Sequence, residues 1–168
     1  MNLRAVLLLL LTLTLAACVQ SGTEEKSLPN YKIYVVDGDT FALNGVKIRV
    51  IGVDTMEYKH PQKSYVVKKL GVENISCLDY YGEQAYLFAR EVLENSMINV
   101  QEVKKDKYGR TLAYITVCNE TACYDYGELL LGKGLAIVYE YEDFEKKQEY
   151  KEIQEEAKKR KLGLWSCT

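Results

Sequence analysis

The sequence predicts an α+β domain that is mainly β: a small closed barrel of five short strands, with about three helices set between and after them. Three observations point there. Strand-like runs in the first half are short and broken by Asp-Gly and Asn-Gly pairs. Asn44-Gly45 sits between two such runs and is the strongest short-range hairpin signal in the chain. Beyond residue 82, stretches with alanine, leucine and glutamate at helical spacing alternate with further strand-like runs.

The elements follow in order. Residues 31–36 read as a strand and Asp37-Gly38-Asp39 as a bend, while 40–43 and 46–51 flank the Asn44-Gly45 turn as a hairpin. Residues 57–80 are mixed in character and read as an exposed loop with room for one short helix. Residues 82–95 are helical by spacing, with Ala85, Phe88, Ala89, Val92 and Leu93 on one side. Strands at 97–103 and 111–118 are joined by a polar turn containing Lys105 to Arg110. Asp125 is placed to cap a helix over 126–133 that Gly134 ends. A last, highly charged helix spans about 144–161, with Tyr150, Ile153 and Ala157 as its inward contacts.

Organisation is read from the amino-terminal segment. Residues 1–17 combine a positive start, an apolar run and small residues, which marks a secretory signal. The run falls short of the roughly 20 residues a membrane span needs. Leu15-Ala16-Ala17-Cys18 also has the form of a bacterial lipobox, in which Cys18 is lipidated; the plainer reading is a cleaved signal with an incidental cysteine. Residues 18–29 lack an apolar face and read as a flexible tether, leaving 30–168 as one domain. The expected product is exported, anchored to the membrane through Cys18 with its domain outside the cytoplasm, and a monomer. Arg4 is the only charged residue before Cys18, so the mature chain carries 21 basic and 24 acidic residues. That balance excludes a strongly basic, sequence-independent nucleic-acid binder. A polyanion site here needs a local basic cluster helped by a cation.

The other four cysteines, Cys77, Cys118, Cys123 and Cys167, suggest disulfides in an exported domain. Cys118 and Cys123 flank a four-residue loop, where a cross-strand bridge is easy. That leaves Cys77 with Cys167. A zinc site is disfavoured by a single histidine and the lack of a Cys-x-x-Cys pair.

The chemistry lies in Asp37-Gly38-Asp39-Thr40, Arg49, Asp54-Thr55-Met56-Glu57 and Lys107-Tyr108-Gly109-Arg110. Carboxylates suited to a hard cation stand close in sequence to arginines suited to a phosphate, a combination that suggests phosphodiester hydrolysis. Pairing about Asn44-Gly45 brings the regions of Asp39 and Asp54 together, and their oxygens suit Ca²⁺ better than the stricter Mg²⁺ octahedron. Glu57 is placed to deprotonate a water, and Arg49 and Arg110 to neutralise the charge of a transition state. A simple ladder sets Thr40 opposite Arg49 and so puts Arg49 and Asp39 on opposite faces. A shared site therefore requires the bend at Gly38, or a bulge, to break the alternation.

These motifs, in order and spacing, closely resemble the staphylococcal nuclease (thermonuclease) family. Lys59-His60-Pro61, Tyr81-Gly82-Glu83-Gln84-Ala85, Leu112-Ala113-Tyr114-Ile115, Gly134-Leu135-Ala136 and Leu162-Gly163-Leu164-Trp165-Ser166 extend the likeness over about 33–166. The resemblance implies an OB-fold barrel and a Ca²⁺-dependent phosphodiesterase that cuts DNA and RNA to 3′-phosphate products. By position, Asp39 and Asp54 match the metal-ligand carboxylates and Thr55 a residue that gives a carbonyl ligand. Asp37 matches an acid in the metal's outer surroundings, Glu57 the general base, and Arg49 and Arg110 the phosphate-binding arginines. Lys107 and Tyr108 match residues that contact the nucleotide's other phosphate. Either Tyr139 or Tyr141 is the aromatic that stacks on a base. Met56 replaces the family's usual proline, which is expected to loosen the loop holding Glu57, and the segment after Lys63 is longer than in compact members.

Overall fold

The computed structural model describes residues 32–168. The signal segment, Cys18 and the tether lie outside the described residues. Among the described residues, eight strands and four helices follow in order: β1 (Ile33–Val35), β2 (Thr40–Leu43), β3 (Val46–Val50), β4 (Val53–Thr55), α1 (Ser64–Leu70), α2 (Ile75–Glu94), β5 (Met97–Lys105), β6 (Thr111–Cys118), β7 (Cys123–Asp125), α3 (Tyr126–Gly132), β8 (Ala136–Val138) and α4 (Lys147–Lys159). A 3₁₀ turn, Gly163–Cys167, closes the chain.

The fold is mixed α+β. Five strands pair in the order β1-β2-β3-β6-β5, with β7 added to β6, and β4 and β8 form a separate two-stranded ribbon. All contacts are antiparallel except β3 with β6. This is the partly open Greek-key arrangement of an OB-fold, and its hydrogen bonds do not run round a complete ring. Asn44 and Gly45 take φ values of 51° and 85°, the positive pair that a two-residue hairpin turn demands. The resulting register sets Thr40 opposite Arg49.

Three features differ from the sequence expectation. β4 and β8 are strands of three residues each, and each is wholly buried, so no polar alternation marks them. The loop expected over 57–80 contains α1 and the first turns of α2. α2 begins at Ile75, where the Asn74 side chain accepts from the Ser76 amide at 3.2 Å, and its buried stripe runs Leu78, Gly82, Ala85, Ala89, Leu93. The last helix is shorter than expected: residues 145–146 precede it as turn, and it ends at Lys159.

Two apolar clusters carry the fold. The larger fills the barrel with Phe41, Ile48, Val50, Ile115, Leu130 and Tyr126 among its fully buried members. The second joins Met56, Val66, Val72, Leu78, Ile137, Leu164 and Trp165 beneath the ribbon and α1. Met56, expected to loosen its loop, is instead 1% exposed within this second cluster, so its side chain anchors the segment leading to Glu57. The structure joins Cys77 to Cys167 and Cys118 to Cys123.

Two glycines let α2 approach the strands that carry the polar residues. A Cβ at Gly82 would stand 2.1 Å from the Glu57 carbonyl oxygen, and one at Gly38 would stand 2.7 Å from both Ala85 Cβ and Thr55 Cγ2. No side chain fits at either place, and the backbones of Glu57 and of the Asp37–Asp39 bend rest directly on the helix.

Candidate active site

Asp39 is the last residue of the bend and precedes β2, outside its paired register. The bend frees its carboxylate from the alternation of the ladder, so Asp39 and Arg49 share a site after all. Tyr126 holds the bend by donating to the Gly38 carbonyl at 2.8 Å. Asp39 is 1% exposed. Its Oδ1 accepts from Thr40 Oγ1 at 2.8 Å and from Arg49 Nη1, and its Oδ2 accepts from the Thr55 amide at 2.9 Å. Burial opposes its charge, but Arg49 and Lys63 nearby, with those hydrogen bonds, hold its carboxyl below the usual range.

Arg49 reaches across to the ribbon. Its Nη2 donates to Asp54 Oδ1 at 2.8 Å and to the Val53 carbonyl at 3.2 Å. Burial alone would weaken the guanidinium's hold on its proton, and Asp39 and Asp54 more than reverse that. Asp54, wholly buried in β4, receives two further donors: Lys63 Nζ on Oδ1 at 2.7 Å and the Tyr65 hydroxyl on Oδ2. Burial and the Asp54 carboxylate both push the Tyr65 hydroxyl upward in pKa. Asp37 lies alongside and accepts from the Asp39 amide at 3.1 Å. Burial, and then the neighbouring Asp39 charge, push its carboxyl up to about 8.

Glu57 stands just beyond β4. Its backbone is clamped from both sides by Gln62, whose Oε1 accepts from the Glu57 amide and whose Nε2 donates to the Glu57 carbonyl, both at 3.0 Å. Its carboxylate meets Lys63 Nζ at 2.8 Å. Gln62, Lys63 and Tyr65 are site residues that the sequence reading missed. One signal was available: Lys68-Lys69-Leu70-Gly71 is a helix-ending pattern, and Gly71 does cap α1 in the left-handed conformation.

The second half of the site is the turn after β5. Asp106 Oδ1 accepts from the amides of Tyr108 and Arg110, both at 2.9 Å, and its Oδ2 accepts from Arg110 Nε at 2.7 Å. Lys107 Nζ and the Arg110 guanidinium lie 5.1 and 5.4 Å from the centre of the Tyr108 ring.

Asp37, Arg49, Asp54, Glu57, Lys107, Tyr108, Arg110 and Tyr139 all line one cavity of about 710 Å³, together with Lys63 and Tyr65. Asp39 lies behind its wall, bonded to Arg49, which lines it, and Thr55 lies behind Asp39, donating its amide to that carboxylate. Of the two candidate tyrosines, Tyr139 is in the lining; Tyr141 is 69% exposed and packs 5.5 Å from both Tyr139 and Tyr65. Among the described residues, no group of three or more His, Cys, Asp or Glu side chains is arranged to hold a metal ion. The donor chemistry of Asp39 and Asp54 nevertheless fits a hard divalent cation, since two buried carboxylates converge on a single guanidinium.

Comparison with known proteins agrees with this geometry. The sequence profile of a family described as Staphylococcal nuclease homologue matches residues 47–167, from β3 to the final turn. The match takes in Arg49, Asp54, Glu57 and Arg110, while the bend with Asp37 and Asp39 precedes it. The uncharacterized protein MJ1439 of Methanocaldococcus jannaschii is 37% identical over 145 residues, 80% of this chain and 70% of that protein. The SPbeta prophage-derived endonuclease YokF of Bacillus subtilis is 34% identical over 140 residues, 78% of this chain but only 42% of its own length. The thermonuclease of Staphylococcus hyicus is 31% identical over 154 residues, 87% of this chain and 81% of that enzyme.

Proposed function

The chain belongs to the staphylococcal nuclease family, and from that membership and the geometry of its cavity we propose that it is a nuclease, a thermonuclease-like phosphodiesterase acting on DNA and RNA. What supports this reading most is the meeting of Arg49, Asp54, Glu57 and Arg110, from three separate stretches of chain, around one cavity wide enough for a nucleotide.

In this reading Glu57 takes a proton from the attacking water, with its backbone fixed by Gln62 and by the contact with Gly82. Arg49 and Arg110 donate to phosphate oxygens as negative charge grows on them. Asp106 binds Arg110 through Nε and leaves the terminal nitrogens for that task. Lys107 and Tyr108 hold the neighbouring phosphate, and Tyr139 offers its ring to a base. Asp39, Asp54 and the Thr55 carbonyl are the groups that would hold Ca²⁺, which when bound supplies Lewis-acid polarisation of the phosphoryl oxygen. The products carry a 3′-phosphate. The chain is exported and held at the membrane by lipidated Cys18; two disulfides in a chain of this size support an oxidising compartment.

The test is cleavage of single-stranded and duplex DNA, with Ca²⁺ and with excess chelator, beside Glu57→Gln. Calcium-dependent cleavage that falls by about 10² or more in the variant is expected. A folded protein that cleaves nothing under any metal would replace the enzyme with a non-catalytic module that binds nucleic acid or protein. Anchoring is tested separately, since Cys18→Ala should release the protein into the soluble fraction.

A further inference from the structure

Lys63 is the one cation that touches both Asp54 and Glu57 among the described residues, at 2.7 and 2.8 Å. It does not hang loosely into the cavity. Its carbonyl accepts the amides of Val66 and Val67 at 3.0 and 3.1 Å, opening α1. α1 itself is fixed by Val66, 1% exposed in the second cluster, and by Lys69 Nζ on Glu140 Oε2 at 2.9 Å. The helix therefore fixes the backbone from which the Lys63 side chain reaches the acids, and Tyr65 from the same helix covers the other oxygen of Asp54.

The balance of charge gives this contact a meaning. Three carboxylates, Asp39, Asp54 and Glu57, face two cations, Arg49 and Lys63. Lys63 thus places positive charge between Asp54 and Glu57, where a divalent ion held by the acidic pair would also place it. The ammonium also occupies a lone pair of Asp54 that a metal would need, and it bonds the carboxylate that is to act as a base.

We propose that Lys63 is a resident counter-cation of the acidic centre, which a divalent ion must displace from Asp54 and Glu57 before the site is loaded. Displacement frees Glu57, so the base becomes available only when the metal arrives. This inference rests on the reading of Asp39 and Asp54 as the metal-holding pair.

Calorimetric titration of the full chain with Ca²⁺, with no substrate present, tests it through Lys63→Met and Lys63→Arg. The methionine variant should bind Ca²⁺ about tenfold more tightly, because no internal cation competes, while the arginine variant stays near the wild type. Metal-free, Lys63→Met should melt a few degrees lower than the wild type, and in saturating Ca²⁺ the two should melt together. Equal or weaker Ca²⁺ binding by Lys63→Met overturns the proposal and leaves the metal site standing. Absence of binding in every protein removes the metal pair and the proposal together. Should the variants not fold, ¹³C-dimethylation of lysines in the wild type gives a second measurement. The Lys63 resonance should shift on addition of Ca²⁺, and an unmoved resonance refutes displacement.

Discussion

The acidic centre and the Lys107–Arg110 turn look into the same cavity but are built in opposite ways. Asp39, Arg49, Asp54 and Lys63 come from a bend, two strands and the start of a helix, and every oxygen of the two aspartates has a donor. The turn is bonded to itself through Asp106, five residues holding one another at the surface. A buried charge is tolerable only when distant parts of the chain arrive to pair it, whereas a surface loop can be shaped by its own backbone. Damage to the centre should therefore be felt by the whole fold, and damage to the turn by substrate alone.

The sharpest way to break this contrast is Asp39→Ala. It leaves Arg49 short of a partner and strips the acceptor from the Thr55 amide and the Thr40 hydroxyl, so a loss of about 3–5 kcal/mol is expected. Equilibrium urea unfolding measures it. A loss below about 1 kcal/mol would place the centre on the same footing as the turn.

Arg110→Ala should do the reverse. Hydrolysis is expected to fall by about 10²–10³ as one transition-state donor disappears, while the surface ion pair with Asp106 is worth at most about 1 kcal/mol of stability. Steady-state cleavage rates and urea midpoints on the same sample separate the two effects. A large loss of stability would mean that the turn is part of the framework.

The two disulfides repeat the contrast. Cys77–Cys167 spans 90 residues and ties the first turn of α2 to the final 3₁₀ turn, beside the cluster that supports α1 and Met56. Cys118–Cys123 spans 5 and closes a hairpin. Chain-entropy reasoning gives about 4.6 kcal/mol for the long loop and about 2.2 for the short one. Replacing each pair with serines and comparing urea unfolding should show that ratio of about two. Equal losses would indicate that native strain or structure in the unfolded chain, rather than loop length, governs both.

The same division explains what the sequence could reveal. Asn44-Gly45 carries its turn in its own chemistry, and the register of β2 with β3 follows from it. Asp106 to Arg110 is likewise legible as a polar turn between strands. β4 and β8 escaped because three buried residues show no period, although β4 carries Asp54. Lys63 escaped for a different reason: within Gln62-Lys63-Ser64-Tyr65, nothing local distinguishes a lysine aimed at carboxylates from one facing water. Only the docking of α1 through Val66 and Lys69 decides that, and docking is a tertiary fact. The meeting of Asp39 with Arg49, which alternation alone forbids, depended in the same way on Gly38 being pressed against Ala85 and Thr55.

The smallest expected effect sharpens the comparison from the side of the turn. Slight desolvation favours the neutral form of Asp106, but hydrogen bonds from Arg110 and from the amides of Arg110 and Tyr108 outweigh it and hold the carboxyl below its ordinary 3.8. A carboxyl depressed in the folded state contributes stability that is present in full above its unfolded value and lost as pH falls through the folded one. The advantage of wild type over Asp106→Asn should thus be flat above about pH 5 and shrink toward acid, with a plateau near 1 kcal/mol because the pair is half-buried and open to solvent screening. Urea midpoints of both proteins from pH 3 to pH 7 provide the curve. If the advantage grows toward acid, the carboxylate is not what the turn is built around. If the plateau reaches the size expected for Asp39→Ala, the turn draws its stability from the rest of the molecule, and the contrast between a centre assembled at long range and a turn that holds itself fails.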